Sequence, residues 1–341
     1  MLATVYQGRH DVRTQDWPSP PAPPPGWVTV AVGFCGICGT DVDEILHGPV
    51  LIPTEPHPLT GRQLPLVLGH EGMGVVVAAG DGAGIDAGTR VGMENSVGCT
   101  TCERCRARMP QLCERMAAIG LMLDGALAEA VNVPASMCVP IPDGVPDEIG
   151  AIAEPLSVAV RAVRRAGDLR GQTVQVFGAG PVGLFTAQVA RARGARAVLV
   201  REPHPSRRAV ARQLGFESDA PETAAPRAQV VFECSGQPTG FAEAVEATAK
   251  SGVTVVVGVH PAPQPLDLCA LVLEERSIVA SLSHTLDDDY RPAMELLAAH
   301  EIDWEPVVSD CIPLDGVVEQ GFRRLIDDPQ PHLKILVDCR G

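Results

Sequence analysis

Four cysteines fall within fifteen residues, as Cys99-x-x-Cys102-x-x-Cys105-x7-Cys113. Thiolates at that spacing wrap one tetrahedral Zn²⁺ and leave no ligand position for a substrate. An iron–sulfur cluster also uses four thiolates, but the spacing differs from the ferredoxin runs and no proline follows Cys113. Disulfides would close strained local loops. The quartet is expected to be a structural zinc site.

A second set is scattered. GFCGICGTDVDEI, residues 33–45, holds Cys35 and Cys38, with Asp43 five positions after the second. A Cys-x-x-Cys pair is a redox dithiol, half of a metal site, or two buried small residues. Gly69-His70-Glu71 follows the apolar run LPLVL, and Glu154 stands before Pro155 in AEPLSVA. A lone histidine after an apolar strand is more often packed than ligating. Spacing alone does not make Cys38, His70, Glu71 and Glu154 converge.

A third set binds phosphate. Gly178-Ala179-Gly180-Pro181-Val182-Gly183 closes the β-branched run TVQVF and opens the helical pattern PVGLFTAQVARARG. In a dinucleotide-binding turn the first glycine makes the tight bend, the second lets the backbone approach the pyrophosphate, and the third lets helix and strand pack closely. The plainer reading is a structural strand-to-helix turn. The motif expects an acid about 20 residues on, and Glu202 ends the next strand, in VLVRE. Its carboxylate suits a ribose diol and repels a 2′-phosphate, which favours NAD over NADP. Arg201 and Arg207 flank it and partly offset that repulsion.

The elements that must position these groups come in two styles. Residues 1–150 read as β-rich, with short alternating runs (WVTVAVGF, GVVVAAG, AEAVNVP) between Pro and Gly, and PSPPAPPPG as an extended connector. From residue 173 strands and helices alternate for about 110 residues, which predicts a parallel sheet covered on both faces. After residue 290, MELLAAHEI and VVEQGFRRLID read as helices and HLKILVDC as a terminal strand.

Composition narrows the function. The chain has 341 residues, 45% of them apolar, and a net charge of −15, which argues against a phosphate-backbone binder. No apolar run approaches the ~20 residues of a membrane span, and the N-terminus shows no signal-peptide pattern, so a cytoplasmic location is expected. Cys138, Cys234, Cys269, Cys311 and Cys339 read plainly as buried or semi-buried small residues.

Taken in order, CGICGTD, GHEGMGVVVAAGDGAG, the cysteine quartet, EPLSVAV and GAGPVG resemble the zinc-dependent medium-chain alcohol dehydrogenases over essentially the whole chain. The loop from residue 47 to Glu71 looks most like the butanediol dehydrogenase branch, and CGICGTDV also like threonine dehydrogenase. The resemblance implies an α/β protein: a GroES-like β-rich catalytic domain, residues 1–151 and 290–341, and a Rossmann doubly wound parallel-sheet domain, residues 152–289. It implies two zinc ions and NAD. Cys38 and His70 would be ligands of a catalytic zinc, with Glu154 as the third and Glu71 entering or leaving, while Cys35 takes no part. Asp41 would orient His70, and Thr40 would relay the proton of the alcohol. Many family members place a histidine three residues beyond that hydroxyl. Here the position is Asp43, either a substitute base or a solvated acid, with His47 nearby in sequence. Cys234 and Gly258 join Gly178, Gly180, Pro181, Val182, Gly183, Glu202 and Arg207 at the cofactor. The loop 47–63, Asn95, Leu121 and His284 are expected to line the pocket. The partner would be a small alcohol or ketone, most simply a polar secondary alcohol or vicinal diol. An amino alcohol, a polyol or one larger metabolite is the competing substrate class, and a non-catalytic module keeping the fold is the reading of another kind. A homodimer or homotetramer through SIVASLS is the expected assembly.

Overall fold

The structure, a computed structural model, describes residues 1–224, 226–330 and 332–340. It divides into two compact units, one of Met1–Glu154 with Thr285–Ala298 and Val308–Gly341, the other of Pro155–His284 with Ala299–Val307. These divisions differ from the expected 151/152 and 289/290, and Ala299–Val307 goes with the second unit. The helix Glu148–Ala166 runs through the first division with Pro155 inside it. Sequence punctuation marks the ends of elements, and here the change of unit falls within one.

In the first unit the largest sheet runs in the order Cys138–Pro140, Arg90–Met93, Glu71–Ala79, Trp27–Gly36, Lys334–Asp338, Val308–Pro313. Trp27–Gly36 begins with the alternation that its sequence shows, burying Val28, Val30 and Val32. From Gly33 onward it is buried on both faces. Its far end lies between Glu71 and Leu336, the register partners of Gly36 on its two neighbours. A side chain at 36 has no room, because a Cβ there would lie 2.0 Å from Glu71 Oε2. The proline-rich segment from 18 to 26 has no regular structure, as its composition requires.

The second unit holds a six-stranded sheet in the order Glu217–Asp219, Ala197–Arg201, Thr173–Phe177, Ala228–Glu233, Thr248–Val256, Ser277–Ala280. Every pairing is parallel. The chain order reverses at Thr173–Phe177, which creates the crevice at the carboxyl ends where ligands of such sheets bind. One boundary differs from the sequence pattern. The helix Pro238–Glu246 ends one residue before TAKSG, in which only Ala249 and Lys250 are strong helix formers and which belongs to the strand Thr248–Val256.

Candidate active site and cofactor turn

Cys38 leaves the end of the strand Trp27–Gly36 and caps the helix Gly39–His47. The cap is made by Asp41, whose Oδ2 accepts the Cys38 backbone N–H at 2.9 Å. Its other oxygen faces His70 Nδ1 at 3.5 Å. Asp41 is fully buried, so one carboxyl group orients both a thiol-bearing turn and an imidazole. His70 comes from the other side, on the turn made by Gly69 at φ +96°, just before the strand Glu71–Ala79. The donor atoms of Cys38, His70 and Glu71 lie within 4.8 Å of one another. Burial opposes a proton on His70, but Asp41 and the Cys38 sulfur outweigh it and raise its pKa well above the usual value. A field that draws a proton into the interior also draws a divalent cation. A thiol, an imidazole and a carboxyl group in that field are a donor set that fits zinc.

The structure brings the Glu71 carboxyl together with the Cys38 and His70 donor atoms. Glu154 accepts a hydrogen bond from Asn95 Nδ2 at 2.6 Å, and Asn95 in turn meets Ser96 Oγ at 3.0 Å. Glu71, which follows His70 directly in the chain, is by that convergence a candidate third ligand alongside Glu154. Glu71 is held as well. Both its oxygens lie 2.6 Å from Lys334 Nζ, which also donates to Ile37 O at 2.8 Å. Burial would lower the pKa of Lys334, but the Glu71 carboxyl overrides this and raises it. Sequence reasoning missed Lys334. Its signal was there: it is one of two lysines in the chain and sits in an otherwise apolar strand, HLKILV.

Thr40 Oγ1 lies 3.7 Å from Cys38 Sγ. Asp43 lies exposed on the same helix; desolvation raises its carboxyl pKa, with His47 pulling the other way. Leu121 is packed in the core of the first unit and His284 is fully buried. In the loop 47–63, Glu44 accepts the backbone N–H groups of Val50 at 2.9 Å and Leu51 at 2.5 Å.

The four sulfurs of Cys99, Cys102, Cys105 and Cys113 also lie within 4.8 Å of one another. Backbone N–H groups point at them: Cys102 N to Cys99 Sγ, Cys105 N to Cys102 Sγ and Cys99 N to Cys113 Sγ, each at 3.4 Å. Bonds from Thr101 and the following amides lower the Cys99 pKa to about 5. Cys105 is pushed up to about 12 by desolvation and by its sulfur neighbours. Four sulfurs this close cannot all ionise without a cation among them. The set fits a closed zinc site.

In the second unit Gly178 takes φ +99°, and Gly180 caps the helix Pro181–Ala192 with open space where its Cβ would be. A Cβ on Gly183 would lie 2.0 Å from Gly178 O. Each glycine thus does what the motif asks of it. Val182 follows Pro181 in the first turn of that helix. Glu202 is buried beside the turn, accepting Ala179 N at 2.8 Å and His204 N at 2.9 Å. Arg207 is half-buried on the helix Pro205–Gln213. Arg201 is buried with its guanidinium on the carbonyls of Pro221 and Thr223, so it does not flank the acid as a free cation. Cys234 packs its sulfur 3.9 Å from Thr186 Oγ1, and Gly258 follows the strand Thr248–Val256.

Residues 24–143 match the family described as Alcohol dehydrogenase GroES-like domain, and residues 181–299 match Zinc-binding dehydrogenase. The chain belongs to the zinc-dependent medium-chain alcohol dehydrogenases. It is an oxidoreductase acting on CH–OH groups, with zinc and NAD as cofactors. It is 32% identical to the (R,R)-butanediol dehydrogenase of Neisseria gonorrhoeae over 99% of both chains. It is 33% identical to the 2-dehydro-3-deoxy-L-galactonate 5-dehydrogenase of Pseudoalteromonas atlantica over 94% of both. The crystal structure of 2R,3R-butanediol dehydrogenase from Bacillus subtilis superposes with a TM-score of 0.92 at 30% identity, over 99% of each chain. No described helix is long and apolar enough to cross a membrane.

Metal analysis of the purified protein is expected to give about two zinc ions per chain. Cys102→Ser should lower the melting temperature, and Cys38→Ser should leave the fold intact and remove activity, because closed sites supply folding energy and open ones Lewis acidity. A ratio near one would remove one of the two assignments. At the cofactor turn, Glu202→Gln should reduce the preference for NAD over NADP by about tenfold or more, since like charge beside a phosphate is what discriminates. Equal kcat/KM for both cofactors in the parent protein would dismiss Glu202 as the selector.

Proposed function

We propose that this protein oxidises a vicinal diol, or a closely related polyol, at a secondary hydroxyl group, and reduces the corresponding ketone in the reverse direction. The observation that carries the reading is the convergence of the Cys38, His70 and Glu71 donor atoms to within 4.8 Å, with His70 and Glu71 buried and Asp41 behind the imidazole. Likeness over nearly the full length to dehydrogenases of butanediol and of a sugar acid supports the substrate class.

Cys38 and His70 would hold the metal with Glu71 or Glu154. When bound, zinc supplies a Lewis acid toward the substrate oxygen, and NAD supplies the hydride acceptor. The protein's own groups do the rest. Asp41 fixes the imidazole and the Cys38 turn, Lys334 balances the charge of Glu71, and Asn95 holds Glu154. Thr40 would take the hydroxyl proton, and Asp43, exposed on the same helix, would pass it to solvent. At the turn, Gly178, Gly180, Pro181, Val182 and Gly183 would receive the pyrophosphate and Glu202 the adenosine ribose, with Arg207, Cys234 and Gly258 around them. The exposed side chains of Val272 and Leu273, 71% and 77% accessible, lie near the edge strand Ser277–Ala280 in sequence and support a homo-oligomer formed along that edge. A cytoplasmic location accords with five cysteine donors, the quartet and Cys38, which require reduced thiols.

A cofactor-reduction screen over vicinal diols, polyols, hydroxy-amino acids and simple alcohols tests the substrate class. The highest kcat/KM is expected for a vicinal diol or polyol. Fastest turnover of a hydroxy-amino acid would replace this reading with a threonine-dehydrogenase-like one. Asp43 can be tested separately. Oxidation needs its carboxyl deprotonated, so the rate should fall as pH drops through its raised pKa. Asp43→Asn should slow oxidation about tenfold to a hundredfold, and Asp43→His should keep much of the rate and move the acid limb toward the histidine range. An Asp43→Asn enzyme with the parent rate at all pH values, and with a solvent isotope effect on that rate, would make Asp43 a bystander.

A further inference from the structure

Glu233 ends the strand Ala228–Glu233 and is fully buried. Its Oε1 accepts Ser235 N at 2.7 Å, Ser235 Oγ at 2.5 Å and Gly236 N at 3.0 Å. Its Oε2 lies 2.9 Å from His260 Nε2. Its backbone carbonyl accepts Val257 N at 2.8 Å and Gly258 N at 3.1 Å. One residue thus gathers the two segments that follow neighbouring strands of the parallel sheet, 234–236 and 257–260. His260 is set by more than this bond, since its ring also packs edge-on against Phe241 at a centroid distance of 5.6 Å.

The gathered segments press on the glycine turn. A Cβ on Gly178 would come within 3.0 Å of Ser235 N and 3.1 Å of the Cys234 carbonyl carbon. A Cβ on Gly258 would lie 2.3 Å from Gly236 N and 2.6 Å from Glu233 Oε2. Three loops therefore stack without room for a methyl group between them. The bond between Glu233 and His260 fastens the second loop to the third. Without it, Oε2 of Glu233 loses its side-chain partner in the interior, a situation costly enough to move the loop toward water.

We infer that His260 is a positioning residue that, through Glu233, holds the Ser235–Gly236 turn against Gly178, so that the cofactor loops are built before the cofactor arrives. It touches no reacting atom. Its contribution is the ordering that a dinucleotide would otherwise have to impose on binding. The inference rests on the reading that NAD binds at the turn from Gly178 to Gly183.

NADH binding to the full-length protein, followed by the cofactor's fluorescence, tests it with three variants. His260→Phe keeps a ring against Phe241 and removes the nitrogen. His260→Gln keeps a side-chain N–H that can reach Glu233. Gly180→Val places a side chain where the structure has open space for it but where a pyrophosphate would lie. His260→Phe should weaken NADH binding roughly tenfold to a hundredfold, with the KM for NAD rising in step and kcat at saturating NAD within about twofold of the parent. His260→Gln should stay within about threefold of the parent, the remainder of one retained hydrogen bond. Parent-like binding by His260→Phe, or equal weakening in both His260 variants, would overturn the inference. Unimpaired NADH binding by Gly180→Val would instead overturn the underlying site reading. Amide hydrogen exchange supplies a measurement that needs no variant: Ser235 and Gly236 should be protected in the cofactor-free parent. Free exchange of those two amides would overturn the inference even if His260→Phe does not fold.

Discussion

Lys334 places a cation in the interior of the catalytic unit, and the arrangement around the donor group depends on it. All three ammonium protons have acceptors, two on Glu71 and one on the Ile37 carbonyl. The lysine belongs to the terminal strand Lys334–Asp338, Glu71 opens the strand Glu71–Ala79, and Ile37 follows the strand that lies between them in the sheet. A buried ion pair is a poor source of net stability, because desolvation consumes most of its attraction. What it supplies is position. It draws Glu71 to a fixed place beside His70 and Cys38, across a glycine that leaves no alternative. The acid reaches the donor group already balanced by a cation, while Glu154 accepts a hydrogen bond from Asn95 and is felt by the same lysine. Two carboxyls with different partners thus stand near one metal-binding group, which explains why a ligand set written from sequence cannot choose between them.

The two donor groups of the first unit differ in how they are built. In the quartet the sulfurs come from one short stretch of chain, and backbone N–H groups of that stretch point at three of them, Cys99, Cys102 and Cys113. Such a loop has little to pack against except its metal, so folding and metal binding are one event. The Cys38–His70–Glu71 group is drawn instead from two strand ends and a helix cap within a large sheet and its core. Its shape is set by the sheet register and by Asp41. One group needs the ion for its structure; the other offers the ion a site that exists for other reasons.

Local chemistry in this chain was legible, and long-range chemistry was not. The glycine turn reads from sequence because every requirement lies within six residues: positive φ at Gly178, open space at Gly180, no space at Gly183. The cysteine quartet reads for the same reason. The two-unit fold reads from the change in hydrophobic period near residue 173. By contrast, His70 and Asp41 are 29 positions apart and Lys334 and Glu71 are 263 apart. Only a sheet brings them together, and family resemblance had to stand in for that geometry. Arg201 was misjudged because a strand-end arginine gives no sign of which carbonyls will claim it. The division at Glu154/Pro155 lies three residues past the expected 151/152, because Pro155, which marks it, stands inside one continuous helix rather than at an end.

In the second unit the glycine turn lies between two buried carboxyl groups. Glu202 follows the strand on one side of Thr173–Phe177 and holds Ala179 N. Glu233 ends the strand on the other side and holds Ser235, which abuts Gly178, and Gly236, which abuts Gly258. Arg201, the cation next to Glu202 in sequence, is turned onto backbone carbonyls. The chain's net charge of −15 works against an anionic dinucleotide at long range. At the turn, the first N–H groups of the helix Pro181–Ala192 offer the opposite sign, and they are effective only if aimed correctly. Aim is what the two carboxyls supply. Glu202 uses both acceptor oxygens on backbone N–H groups, and Glu233 uses one on Ser235 and Gly236 and the other on His260, so negative charge beside the turn serves to shape it.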